Sequence, residues 1–429
     1  MKPGKPLAVA LFCALTVLGC AAVSAVGAVS AAGGPPLPSN DPFYAYHHPL
    51  AHIAPGTVLK TRTIALGGTS AGEPTQATQV LYRTTGELGQ PTVTVATIIR
   101  PLSHGPTKVL SYQTAYDALG NQCDPSYTMR QGSRPYALGS EEEGVIMSYV
   151  KAGDTAVVSD YEGERLDWVA GQESGFGTLD AIRAAEHILH ARVAKTPVAM
   201  VGYSGGSVAT EFASELAPTY SPKLHIVGVA EGGIPVDLFH NTTYVNGSPS
   251  WSATIPATLV SLSRAFHVSL RPYLSAYGVN VSNQVRRECI TDFLGKYPGL
   301  TYQKLLKPKD HNIFKIPSFV RFTNHLIMSR SGTPKGPLFI GVGDSDGTGD
   351  GVMVTKDDEA LAHTYCKRGV SVEFNLYQGS DHTGAAVKFE QAAPAFLAAR
   401  LSGRPVPNGC SSIGRGNSLA PVPVPRRAP

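Results

Sequence analysis

Ser204 stands in Gly202-Tyr203-Ser204-Gly205-Gly206, with a glycine two residues to either side. The apolar run Val198-Ala-Met-Val before it suits a buried strand. After it, Ser207, Val208, Ala209, Phe212 and Leu216 follow a helical spacing. Strand, sharp turn and helix around Gly-x-Ser-x-Gly make a nucleophile elbow. Such a turn strains the backbone at the serine, so its neighbours must lack bulk, and Gly202 and Gly206 meet that need. The hydroxyl then stands free at the carboxyl edge of a sheet, while the Gly205 amide at the helix N-terminus points to where an oxyanion would form. The chemistry is nucleophilic attack on an acyl carbon. The alternative is an ordinary glycine-rich turn, and the strand and helix around it speak against that.

A serine nucleophile needs a base, and the base needs a carboxylate to set its tautomer. After such an elbow the chain order is Ser, then Asp or Glu, then His. Gly379-Ser-Asp381-His382 follows the last strand, Val370 to Tyr377, which makes His382, in a short loop, the candidate base. The acid belongs after the strand Leu338 to Val342, where Asp344, Asp346 and Asp350 compete. Asp346 lies at the usual distance past the strand and ranks first. Asp350, followed by an apolar run, ranks second, and Asp344 sits too close to the strand. The same loop partly resembles a calcium-binding loop, but Thr355 stands where the final Glu belongs, so no metal is expected. His47, His48 and His52 have no partner cluster and read as surface residues. The second oxyanion donor should come from the loop after Val109–Gln113, near Asp117. Periodicity does not select the residue there, and the Asp117 carboxylate has a plainer reading as a turn former.

The elements that must position these groups follow from the patterning. Lys2 and Lys5, the apolar run Pro6 to Ala25 and the small-residue sites up to Ala32 read as a signal peptide over residues 1–32, which implies secretion. Val17-Leu-Gly-Cys20 faintly resembles a lipoprotein box, which makes a cell-envelope lipoprotein the minor alternative. Thr57 to Leu66, Ala77 to Thr84 and Val93 to Arg100 alternate as strands of an antiparallel meander. From Lys108 strand and helix alternate, the pattern of a parallel sheet covered by helices, within one domain over 33–410. Residues 235–331 break that alternation and read as a helical insertion. Its Leu259, Leu262, Phe266 and Leu270 line an acyl pocket or form the insertion's own core. Phe389 to Arg400 closes as a helix, and the Pro-rich tail 411–429 is expected to be disordered. A net charge of +4 with no Lys/Arg cluster gives no reason to expect nucleic acid. Beyond the signal region remain Cys123, Cys289, Cys366 and Cys410, an even number that argues for two disulfides in an exported chain.

Taken together, Asp41-Pro-Phe-Tyr, Val80-Leu-Tyr-Arg-Thr-Thr, Ser111-Tyr-Gln, Asp117…Cys123-Asp-Pro-Ser-Tyr, Asp160-Tyr-Glu-Gly163, the elbow and Asp381-His382 resemble the secretory lipase family. These are α/β-hydrolases typified by fungal lipase A. The resemblance implies an α/β-hydrolase fold with a helical cap. It implies a triad of Ser204, His382 and an Asp within 344–350, and an oxyanion hole from the amides of Asp117 and Gly205. It also implies the pairing Cys123–Cys289 and Cys366–Cys410. The implied activity is cofactor-free hydrolysis of acylglycerol or related esters through an acyl-enzyme, by a monomer in transient contact with lipid. A short-chain carboxylesterase, an acyltransferase and a non-catalytic lipid-binding protein are the alternatives. The chain departs from the family in the acid loop, where a shorter Asp-x-Val-Val-Pro is usual and Gly347 to Gly349 are inserted.

Overall fold

The computed structural model describes residues 34–102, 105–134 and 137–426. The expected signal segment, with Cys13 and Cys20, lies outside the described residues. Three strands open the chain, β1 (Val58–Ile64), β2 (Thr75–Thr85) and β3 (Pro91–Pro101). They pair antiparallel, β2 and β3 in unbroken register from Thr75↔Pro101 to Thr85↔Pro91. Next come β4 (Val109–Gln113), α1 (Pro125–Thr128), α2 (Ala137–Lys151), β5 (Thr155–Ser159), α3 (Gly171–Ile188), β6 (Val198–Tyr203), α4 (Gly205–Tyr220) and β7 (Ile226–Gly232).

The insertion carries α5 (Leu238–Tyr244), α6 (Thr254–Ala265), α7 (Ala276–Val285), α8 (Ile290–Phe293), α9 (Tyr302–Leu305) and α10 (Pro317–His325). The sheet resumes with β8 (Leu338–Asp344), α11 (Thr355–Lys367), β9 (Val372–Gln378) and α12 (His382–Leu401). Its strand order is β1-β2-β3-β5-β4-β6-β7-β8-β9, parallel from β5 through β9.

Side chains alternate across this sheet with the strand period of two. Ile98, Val109, Val157, Met200 and Val229 enter the core on one face, and their neighbours Ile99, Leu110, Val158, Val201 and Ala230 enter the core on the other. Both faces are therefore apolar and both are covered, as parallel strands require, each buried Val or Leu contributing about 1.5–3 kcal/mol. The first face is covered by α3 and α4 through Leu179, Ile182 and Phe212, the second by α2 and α12 through Met147, Phe389 and Leu397. Buried residues of the insertion, among them Leu262, Phe293 and Phe319, join the first core without a break. No helix among the described residues is long and apolar enough to cross a membrane.

Two expectations need correction. The last helix begins at His382, well before Phe389, because the Asp381 side chain accepts the Gly384 amide at 2.8 Å and caps it. His382 therefore sits in a first helical turn, not in a loop. The tail is also no free segment up to residue 426. Val422 exchanges bonds with the Asn324 side chain (2.9 and 2.8 Å), Asn417 donates to Asp357 at 2.8 Å, and Ile413 and Leu419 pack on the core. Prolines lower the entropy lost on ordering, so few contacts suffice to hold it.

Candidate active site

β6 delivers Ser204 to the carboxyl edge of the sheet and α4 begins immediately after it. Ser204 has φ 55°, ψ −123°, the strained conformation of an elbow, fixed by its amide donating to the Gly232 carbonyl at 2.9 Å. The glycines are required by space. A Cβ on Gly202 would lie 2.3 Å from the Gly206 carbonyl oxygen, and one on Gly206 would lie 2.0 Å from that of Gln113.

His382 Nε2 lies 2.8 Å from Ser204 Oγ, and His382 Nδ1 lies 2.7 Å from Asp350 Oδ2. The other Asp350 oxygen accepts the amides of Val352 (3.0 Å) and Met353 (2.8 Å), and the His382 amide donates to the Asp350 carbonyl at 2.8 Å. Asp350 is 1% exposed and His382 6%, so the pair is dry and its attraction weakly screened. Around the imidazole, Tyr203 packs at 5.1 Å between ring centres and Trp251 stands edge-on at 5.2 Å.

The ranking of the acids is thus reversed. Asp346 is exposed and turns away, its oxygens accepting Thr348 (2.8 Å), Gly349 (3.0 Å) and the Tyr244 hydroxyl (2.8 Å). The reason is the inserted glycines. Ser345 N donates to Gly349 O at 2.7 Å, closing residues 345–349 on themselves, with Gly347 at φ 82°. The insertion loops out, and Asp350 reaches the place that counting from the strand assigns to Asp346.

Asp117, buried with φ 38°, stands in the loop after β4; Asp tolerates this left-handed region better than most residues. Its Oδ1 accepts Trp168 Nε1 at 2.8 Å. Around it the amide of Ala115 donates to Glu142 (2.9 Å), that of Ala118 to Glu162 (3.1 Å) and that of Leu119 to the Glu288 carbonyl (3.0 Å). The amides of Asp117 and Gly205, by contrast, have no protein acceptor among the described residues. Two free donors beside a serine are what a developing oxyanion needs.

Burial pushes the Asp117 carboxyl up to about 6, partly offset by the Trp168 bond and His382. Between the ordinary 3.8 and about 6 the folded protein holds a proton that the unfolded chain releases, so stability falls as pH rises through that window. Asp117→Asn, which keeps the acceptor for Trp168, should be the more stable protein above pH 7 by up to about 3 kcal/mol and equal below pH 4. Urea midpoints at the two pH values measure this; a difference that persists at low pH would refute it.

Gly205 meets Asp117 face to face, since a Cβ there would lie 1.5 Å from Asp117 Oδ1. That carboxyl is tied to Trp168 and cannot yield. Gly205→Ala should therefore cost about a hundredfold or more in kcat by displacing one donor, with the far-UV spectrum unchanged. Activity within threefold of wild type would mean that the loop adapts.

The pocket against Ser204 is lined by Trp168, Leu238, Val245, Ile255, Thr258, Trp251, Val352 and Met353 and is largely apolar. Leu259, Leu262, Phe266 and Leu270 do not line it. They pack in the same apolar core that Ile255 joins. The open space is about 60 Å³, roughly two water molecules, and Ser204 is half-buried at its edge. A larger hollow, of 540 Å³, lies against residues 38–47 and contains neither Ser204 nor His382. Among the described residues no His, Cys, Asp and Glu cluster could hold a metal.

Trp168, Trp251 and Glu142 have no counterpart in the sequence reading, and Glu162 entered it only within Asp160-Tyr-Glu-Gly163, without a role. They act through contacts far apart in the chain, which leave no periodic trace. Cys123–Cys289 and Cys366–Cys410 are paired, with Cα separations of 5.8 and 5.5 Å.

Sheet, elbow and the histidine at the head of α12 define an α/β-hydrolase. The family model of the secretory lipases matches residues 138–409, and the chain belongs to that family. It is 31% identical to a probable inactive lipase of Mycobacterium tuberculosis, over 87% of this chain and 84% of that one. With lipase A of Arthroderma benhamiae it shares 30% identity, over 87% and 82%. The structure of Candida antarctica lipase A in its closed state superposes with a TM-score of 0.79 at 25% identity, covering 92% of this chain and 91% of that one.

Proposed function

We propose that this chain is a secreted serine hydrolase that cleaves carboxylic esters, with acylglycerols as substrates, through an acyl-enzyme. The observation that carries this reading is the line Ser204 Oγ, His382 Nε2 and Nδ1, Asp350 Oδ2, at 2.8 and 2.7 Å, beside two free amides. Ser204 attacks the ester carbon while His382 takes its proton. Asp350 keeps the Nδ1 proton in place and stabilises the imidazolium. The Gly205 and Asp117 amides receive the charge on the carbonyl oxygen. His382 then protonates the departing alcohol, and water repeats the sequence to free the acid. The relative named inactive makes catalysis by this chain the point to test. The apolar lining fits an acyl chain.

The test is hydrolysis of a p-nitrophenyl ester series by the mature protein, with mass analysis of Ser204 after treatment with a p-nitrophenyl phosphonate. Turnover rising toward long chains, with one phosphonyl group on Ser204, supports a lipase. Turnover confined to acetate and butyrate reassigns the chain as a short-chain carboxylesterase. No turnover on any ester and no label would leave a non-catalytic lipid-binding protein.

A further inference from the structure

The loop that carries Trp168 is strained. Leu166 (φ 55°) and Val169 (φ 57°) both occupy the left-handed region without being glycine. For β-branched Val169 this is a true outlier, and two such residues cost on the order of 1–3 kcal/mol each, so other contacts must hold them. Those contacts come from the cap. Arg264, in the last turn of α6, donates from Nη1 to the carbonyls of Arg165 (3.1 Å), Leu166 (3.2 Å) and Leu119 (3.3 Å). Its Nη2 donates to Leu119 (3.3 Å) and to Arg286 (2.6 Å). One turn earlier on α6, the Ser261 hydroxyl donates to the Trp168 carbonyl. Leu119 lies two residues past Asp117, and Trp168 Nε1 holds the Asp117 carboxyl at 2.8 Å. The guanidinium thus joins the strained loop, the loop bearing the Asp117 amide and the cap segment at Arg286.

We propose that Arg264 is a positioning residue that sets the Asp117 amide of the oxyanion hole from within the cap. The role rests on the function proposed above. Arginine is needed because its planar fork serves several acceptors at once, whereas a lysine ammonium has only one nitrogen with which to reach three segments. A neighbouring cation, Arg165, belongs to the strained loop itself and donates from Nη2 to Asp167 at 2.6 Å and to the Arg264 carbonyl at 2.5 Å, which ties the loop to α6 but not to the Leu119 and Arg286 carbonyls that the Arg264 fork reaches. Without the fork, Leu166 and Val169 relax, Trp168 shifts, and the Asp117 amide moves out of line with that of Gly205.

The experiment compares Arg264→Met and Arg264→Lys with wild type in the full mature chain. For p-nitrophenyl butyrate, kcat should fall about 10- to 100-fold in Arg264→Met with KM nearly unchanged, as for a misplacement of roughly 1 Å. Arg264→Lys should recover part of the loss. Active sites are counted by phosphonate titration of Ser204, so that kcat refers to folded protein only. Trp168 emission, read in a Trp251→Phe background, should shift in Arg264→Met. Titrated sites with wild-type kcat, or a loss confined to KM, would overturn the proposal. If wild type itself lacks Ser204-dependent turnover, the function fails instead. The Trp168 emission then decides alone: a shift shows that Arg264 holds the loop, an unchanged spectrum that it does not.

Discussion

Ser204→Ala is expected to lower ester hydrolysis by about a millionfold, to a residue of roughly 10³–10⁴ over the uncatalysed rate supplied by binding and the oxyanion donors. Among the described residues the Ser204 hydroxyl has one hydrogen-bond partner, His382 Nε2 at 2.8 Å, so its removal costs that single bond and leaves the Asp350 side of the ring untouched. The elbow backbone is held by the Gly232 carbonyl and by small neighbours, not by the hydroxyl. Alanine at φ 55° carries the same strain as serine. The variant should therefore fold and bind substrate as wild type does, with the whole effect in kcat. The p-nitrophenyl assay together with the thermal midpoint measures both. A variant keeping more than about a hundredth of wild-type kcat would remove Ser204 from the mechanism.

The second large effect separates two aspartates four residues apart. In Asp350→Asn the amide oxygen keeps accepting Val352 and Met353, and the amide nitrogen then faces His382 Nδ1. An NH₂ at that place forces the ring proton onto Nε2, which leaves Ser204 no base. The expected loss is about 10⁴-fold in kcat with the geometry intact. Asp346→Asn touches only the exposed turn with Thr348, Gly349 and Tyr244 and should stay within about threefold of wild type, as most surface changes do. Kinetics of the two purified variants on one ester settles the matter, and a reversed order would return the acid role to Asp346.

These sites show where a sequence speaks and where it falls silent. The place of Ser204 was legible from a strand, glycines at fixed offsets and a helix, and that of His382 from the last strand and Gly379 before it, although the helix it heads was not. The parallel strands were legible as short continuous apolar runs, because a sheet covered on both faces buries neighbours such as Met200 and Val201 alike. The acid was misranked because counting residues past β8 assumes an extended chain, and Gly347-Thr348-Gly349 folds back on itself. The two readings of Leu259, Leu262, Phe266 and Leu270, pocket lining or the insertion's own core, part only in three dimensions: hydrophobic spacing reports that a residue of α6 is buried, and it does not report against what. The tail misled through composition, since proline marks weak core formation and says nothing of the Asn324 side chain that waits for Val422. Trp168 and Arg264 act only across large sequence separations, and no local pattern foretells them.

The insertion leaves the sheet after β7 and returns at β8, strands that lie side by side, so by chain path alone it is a cassette that recombination could lift out and exchange. The stitching at Asp117 argues otherwise. Ile290 N donates to Asp117 O at 3.0 Å, Leu119 N to Glu288 O at 3.0 Å, and Cys123 is bonded to Cys289. A relative's cap grafted between residues 233 and 337 would arrive without the half of the catalytic wall it must complete. Substrate preference and turnover in this lineage should then be inherited as one trait, and changes in the cap should be accepted only when the loop at Asp117 changes with them.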